Sequence, residues 1–137
     1  MPERDDQANA YLSEAETTLR SAETLLEADP EAFAPQVVKN AYDAFEQALS
    51  AGIAARGDDI PTRHGAKIQA FFEPLGAAEL EETAFEWHAR RSEAQYVDRT
   101  GDGLSVPSSN FDRTDAERIL EDAERIISFV RGQVMEG

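Results

Sequence analysis

Two segments hold most of the side chains that could do chemistry. The first is Ile60-Pro61-Thr62-Arg63-His64-Gly65-Ala66-Lys67, and the second is Arg90-Arg91-Ser92-Glu93-Ala94-Gln95-Tyr96. An imidazole titrates near neutrality, so His64 is suited to taking or giving a proton at physiological pH. A guanidinium is a permanent planar fork of donors, so Arg63, Arg90 and Arg91 suit a phosphate or a carboxylate. The chain has two histidines, His64 and His88, and no cysteine. Without thiols, disulfide scaffolds, thiolate catalysis and Cys-based zinc or iron–sulfur sites are excluded.

Other chemical patterns start and fail. Asp98-x-Thr100-x-Asp102-Gly103 begins like a calcium loop, but Ser105 stands where an apolar residue is needed and Ser109 where a bidentate Glu is needed. A polar turn is what remains. Glu81-Glu82 and Asp58-Asp59 are adjacent in sequence, so each pair points apart on a helix or lies in a loop. There is no Glu-x-x-His motif of the di-iron bundles and no phosphate-binding Gly loop. No metal and no cofactor is expected.

The chain has 137 residues, with 28 acidic and 13 basic side chains and a formal net charge of −15. That length sets the expectation at one domain with one core. The charge argues against DNA and against an anionic membrane surface, since both need a positive footprint, but it leaves room for a local Arg cluster. No apolar run approaches the roughly 20 residues of a membrane span. The polar, acidic start of the chain is no secretory leader, so a cytoplasmic protein is expected. Eleven of the basic residues are Arg and only Lys39 and Lys67 are Lys. Acidic excess with scarce Lys and plentiful Ala suggests adaptation to concentrated salt, where the Debye length shrinks to about 3 Å and such a charge is tolerated.

The elements that must position these residues are all helical. Ala8, Tyr11, Ala15, Leu19, Ala22 and Leu26 form one stripe, predicting a helix over 7–28 behind a polar tail at 1–6. Asp29-Pro30 ends it. Pro35 suits the first turn of a helix over 35–56, whose stripe runs Val38, Ala41, Tyr42, Phe45, Ala48, Leu49, Gly52. Thr62 can cap a short helix over 63–73. Leu80, Ala84, Trp87, Arg91 and Ala94 predict a helix over 78–97. Residues 98–112 read as a long exposed loop. Thr114-x-x-Glu117 reads as the capping box of a last helix over 115–134, leaving a short tail at 135–137. The expected fold is an all-α antiparallel bundle of four long helices and one short one, spanning 7–134.

The order of these segments resembles the HEPN family, small helical domains often encoded beside minimal nucleotidyltransferases. Tyr42, Phe45 and Ala48 match its Tyr-x-x-Phe-x-x-Ala stretch. Pro61, Arg63, His64 and Gly65 match its Pro-x-x-His-Gly loop, and Arg91, Ala94 and Tyr96 match its Arg-x-x-Ala-Asp-Tyr motif with Gln95 in place of Asp. The resemblance implies a homodimer, a nucleotidyltransferase partner and a toxin–antitoxin setting in which that partner adenylylates a tyrosine, with Tyr96 the modification candidate. It also implies an RNA or nucleotide site built from Arg63, His64, Arg90, Arg91 and Tyr96. The family's ribonucleases carry Arg, four to six residues, then His. Here residues 57–59 before His64 are Gly, Asp, Asp, residues 81–83 before His88 are Glu, Glu, Thr, and Arg56 is one residue too far from His64. The usual ribonuclease motif is absent, which leaves a nuclease using Arg91 with a His from elsewhere, or a non-catalytic interaction module, as alternatives.

Individual residues stay open at this level. Arg91 is either an anion contact in a dimer cleft or one half of an ion pair with a carboxylate. His64 is either a phosphate contact or a helix-start residue bonded to a loop carbonyl. His88 is expected at the surface or at a partner interface. The small residues of the second helix and an exposed edge of Trp87 are expected to form the dimer seam. The charge itself makes a prediction: close-set carboxylates repel in the folded state and salt screens them. Thermal melts in low and molar KCl should separate by many degrees, and coincident melts would contradict the high-salt reading.

Overall fold

A computed structural model describes residues 2–95, 98–100, 103–105 and 111–136. Its helices are α1 (Pro2–Ala28), α2 (Ala34–Ala55), α3 (His64–Phe72), α4 (Ala78–Gln95) and α5 (Arg113–Glu136). A single 3-10 turn, Glu73–Leu75, follows α3. The predicted bundle of four long helices and one short one is therefore the observed architecture. Among the described residues, no helix is long and apolar enough to cross a membrane.

Four local readings are corrected. First, α1 starts at Pro2, so the tail predicted at 1–6 is helical from its second residue. Proline is pre-set for a first helical turn, and the acidic Glu3, Asp5 and Asp6 are of the type that suits the positive end of the helix dipole. Second, the segment read as a loop carries a small antiparallel hairpin, β1 (Asp98–Thr100) with β2 (Gly103–Ser105), Arg99 opposite Leu104. Third, the capping box of α5 is Asp112/Asp115, two residues before the predicted pair. The Asp115 N–H donates to Asp112 Oδ1 at 2.9 Å and the Asp112 N–H donates to Asp115 Oδ2 at 3.1 Å. Two carboxylates satisfy the reciprocal geometry as well as the expected Thr and Glu do. At the start of α3, Arg63 and not Thr62 occupies the capping position, with no side-chain cap.

The core is organised around α2. It packs on α1, α3, α4 and α5, whereas α4 and α5 approach each other closely at few backbone positions and are bridged by side chains such as Trp87 with Asp122 and Glu86 with Arg118. Sixteen of its residues are buried. Small side chains let the neighbours close in: Ala41, Ala44, Ala48 and Ala51 are fully covered beside Tyr42, Phe45 and Leu49. The faces expected to form a dimer seam are thus consumed inside one chain. Trp87 is also wholly buried, its Nε1–H donating to Asp122 Oδ2 at 2.8 Å, with Arg90 and Arg118 stacked on its ring. Its edge offers no anchor to a partner.

The join between α2 and α3 is the tightest contact. A Cβ placed on Gly52 would lie 2.2 Å from Phe71 Cε1, far inside contact distance. Arg56, just beyond α2, then caps the far end of α3 by donating to the carbonyls of Ala70 and Phe71 at 3.2 and 2.7 Å. Gly57 makes the turn that follows with φ at 81°. Gly52→Ala should cost about 1–3 kcal/mol in denaturant unfolding, the range for overpacking a close-packed core. Gly132→Ala, whose Cβ meets nothing within 4 Å on α5, should be neutral or stabilising by up to about 1 kcal/mol. Equal effects at the two positions would contradict this packing account.

Candidate functional site

The chain's two lysines and two histidines come together where α2, α3 and α4 meet. On α2, Lys39, Tyr42, Asp43 and Glu46 recur at spacings of three and four, so they share one face. His64 and Lys67 lie one turn apart on α3, and His88 and Arg91 one turn apart on α4. Three helix faces thus converge, α2 supplying four polar groups and α3 and α4 two each.

Glu46 is the centre. It is 8% exposed, yet it carries a carboxylate. Burying such a group is costly unless it is paired and hydrogen-bonded. Both of its oxygens are engaged: His64 Nδ1–H donates to Oε2 at 2.5 Å and Lys67 Nζ donates to Oε1 at 3.0 Å. Burial pushes the Glu46 carboxyl up, but the bonds and charges of Lys67 and then His64 outweigh it and hold it below its ordinary value. With Nδ1 committed to Glu46, the opposite edge of the His64 ring keeps Nε2, and the side chain is 41% exposed. A carboxylate orienting an imidazole in this way is the arrangement that readies the second nitrogen for proton transfer.

Tyr42, one turn before Glu46, is fully buried. Its burial, followed by the charge and hydrogen bonding of Glu46, raises the hydroxyl far above the ordinary phenol range, so it stays protonated. That hydroxyl lies 3.2 Å from His88 Nδ1, within hydrogen-bond distance. Burial lowers the His88 imidazole from its ordinary 6.5, the charges of His64 and Arg91 lower it further, and Glu46 opposes them. The two imidazole centroids are 6.1 Å apart, and each is 6.3 Å from the Tyr42 ring. Arg91 completes the edge, with its guanidinium 5.5 Å from the Tyr42 ring centre and Nε 3.9 Å from Asp43 Oδ1. Lys39 reaches the other Asp43 oxygen at 3.5 Å.

The residues expected from sequence part company here. His64 and Arg91 are at the junction, and Arg63 is exposed immediately before His64. Arg90 is not with them. One position along α4 turns it toward α5, where it stacks on Trp87 and Phe111 and pairs with Asp115 at 3.3 Å. Tyr96 lies outside the described residues. His64 bonds to a buried carboxylate and not to a loop carbonyl, and His88 belongs to the site and not to an outer surface. Glu46, Lys67 and the hydroxyl of Tyr42 were missed as site groups. The signal that marks them is their pairing at three- and four-residue spacing on otherwise apolar faces.

With the geometry in place, the comparisons with known proteins are decisive about family. The HEPN domain model matches residues 8–133. The chain belongs to the HEPN family. The crystal structure of an archaeal HEPN homologue resembles this HEPN chain at a TM-score of 0.74 and 18% identity, covering 93% of this chain and 98% of that one. A crystal structure of a Thermus thermophilus protein resembles it at a TM-score of 0.77 and 23% identity, with the same coverage. No functionally curated protein matches the chain. In this HEPN fold Arg56 reaches the end of α3 opposite to His64, roughly 10 Å along the helix at 1.5 Å per residue, so it does not supply the missing Arg–His pair. Arg91, one turn from His88, is the arginine that stands beside an imidazole.

The linkage of these groups predicts a pH dependence. The folded state holds His88 below 6.5, so the unfolded chain binds that proton first and stability falls as pH drops through 6.5. Glu46 adds a second loss below its ordinary 4.5, as its carboxylate is protonated. Glu46→Gln should remove the second loss. It should also lower the His88 pKa further in an NMR titration, because it deletes the charge that props it up. A rise in the His88 value would contradict the assigned network.

Proposed function

We propose that this HEPN chain is the helical half of a two-protein module with a minimal nucleotidyltransferase. In this reading the junction of α2, α3 and α4 takes a phosphate-bearing ligand, a nucleotide or RNA. One observation carries the ligand reading. In a chain of net charge −15, Lys67, both histidines and Arg91 converge on one network around Glu46 and Tyr42, and Lys39 joins its edge through Asp43. Cationic and imidazole donors in such proximity suit a phosphate. The module reading rests on family membership and on the Tyr42, His64 and Arg91 motifs, and it includes a two-fold homodimer, the commonest closed assembly. Tyr96 remains the proposed modification target, and the acidic surface is read as an adaptation to concentrated salt.

A metal-independent ribonuclease is the second reading, and the Glu46–His64 bond favours it specifically. His64 would then take the ribose 2′-hydroxyl proton at Nε2 as that oxygen attacks phosphorus, the 5′-oxygen would leave and take a proton from water, and Arg91 would hold the phosphate as charge develops on it. Both groups come from different helices, so the linear Arg-to-His spacing is not required for them to cooperate.

Co-expression of the tagged chain with the proteins encoded beside it tests the module. The expected result is a nucleotidyltransferase co-purifying at fixed stoichiometry. Isolation without one would contradict the reading. Arg91→Ala should abolish the biological effect while costing less than about 1 kcal/mol of stability, since its pair with Asp43 is long and partly solvated. Arg91→Lys should rescue poorly. RNA cleavage by the purified chain without added metal, lost in His64→Ala, would establish the second reading.

A further inference from the structure

Among the described residues, three large hydrophobic side chains are exposed: Phe33, Phe85 and Met135. Phe33 precedes α2 and Met135 is near the end of α5. Phe85 alone stands at the junction. It is 37% exposed, although Ala84 and Trp87 beside it already supply the core contacts of this stretch of α4. It lies one turn before His88, about 4.5 Å along the helix axis, so the two share a face. Both rings flank the same point of α3. A Cβ on Gly65 would meet His88 Nε2 at 3.5 Å and Phe85 Cε1 at 3.8 Å. Gly65 itself adds no side chain to this corner, and the half-exposed His64 ring comes just before it.

An uncovered aromatic ring next to two imidazoles and a lysine–arginine network matches one ligand chemistry well. A nucleotide combines a flat base, which stacks on an aromatic face, with a phosphate, which the cationic groups receive. We propose that Phe85 is the base-stacking platform of this site, and that the ligand is a nucleotide, free or within a single strand. This deepens the phosphate reading above and rests on it. Stacking tolerates any base, because every base has a π face, so the platform gives affinity for nucleotides without sequence selection. His64 and His88 would meet the sugar–phosphate side, one turn and one helix away from the ring.

Four probes separate the claims: AMP, ribose 5-phosphate, adenosine and a six-nucleotide adenylate RNA. The chemical shifts of the intact chain report their binding. AMP should bind more tightly than ribose 5-phosphate by about five- to a hundredfold, the range one stacked base supplies. Phe85→Ala should erase that preference and leave ribose 5-phosphate affinity unchanged, whereas Phe85→Trp should keep it. Melting curves confirm that each variant is folded. The RNA binding more tightly than AMP identifies a strand as the ligand, and equal affinity identifies a free nucleotide. Equal binding of AMP and ribose 5-phosphate overturns the platform and leaves the phosphate site standing. Adenosine binding that is lost in Phe85→Ala, without ribose 5-phosphate binding, supports the platform and overturns the phosphate reading. Silence from all four probes overturns both. A Phe85→Ala chain whose sedimentation mass halves, with AMP preference intact, assigns the ring to an interface between copies and overturns the proposal.

Discussion

A buried carboxylate sets the terms for this HEPN chain. Glu46 sits on the most enclosed helix of the bundle, and its charge must be matched from within the protein. The positive partners come from α3, through His64 and Lys67. A helix of nine residues has little stability of its own, so tertiary contacts must hold it. They do so at both ends: Phe71 against the bare backbone of Gly52 and under the Arg56 cap, and His64 and Lys67 on Glu46. These two anchors fix both the position of α3 and its roll, and so fix where the free edge of His64 points.

The same carboxylate reaches the second imidazole through Tyr42. A fully buried phenol stays protonated beside Glu46, and its hydroxyl lies within hydrogen-bond distance of His88 Nδ1. The site therefore combines an imidazole oriented by a carboxylate with one whose charged form burial disfavours, in adjacent positions. Paired imidazoles are suited to general acid–base chemistry. Arg91 and Lys67 stand at the margins, beside Asp43 and Glu46.

The helices were legible because their stripes are. Val38, Ala41, Phe45 and Ala48, or Ile119, Ala123, Ile126 and Val130, repeat at the helical period and are buried where that period puts them. The ends were less legible, because capping depends on which of several neighbouring polar residues wins. Asp112 and Asp115 took the role that Thr114 and Glu117 could also play. The hairpin escaped notice since three-residue strands show no alternation. For the site, His64 and Arg91 stood out through motif and residue type. Glu46 stood out less, because one Glu among 28 acidic residues is marked only by its spacing from Tyr42 and Asp43, and the fold shows it as the enclosed carboxylate among the described residues. Adjacent arginines could not be told apart from composition either. The 100° between successive helix positions sends Arg90 to Asp115 and Arg91 to Asp43, and only the placement of α5 and α2 tells which of them serves the site.

The central claim is that the junction of α2, α3 and α4 works as one anion-receiving site. Two histidines in the whole chain make it directly observable, because the imidazole region of a heteronuclear NMR spectrum then holds one signal from each. Inorganic pyrophosphate, titrated against KCl of matched ionic strength, should move both signals along a single saturating curve. Signals that stay in place, or that follow ionic strength alone, would contradict the account.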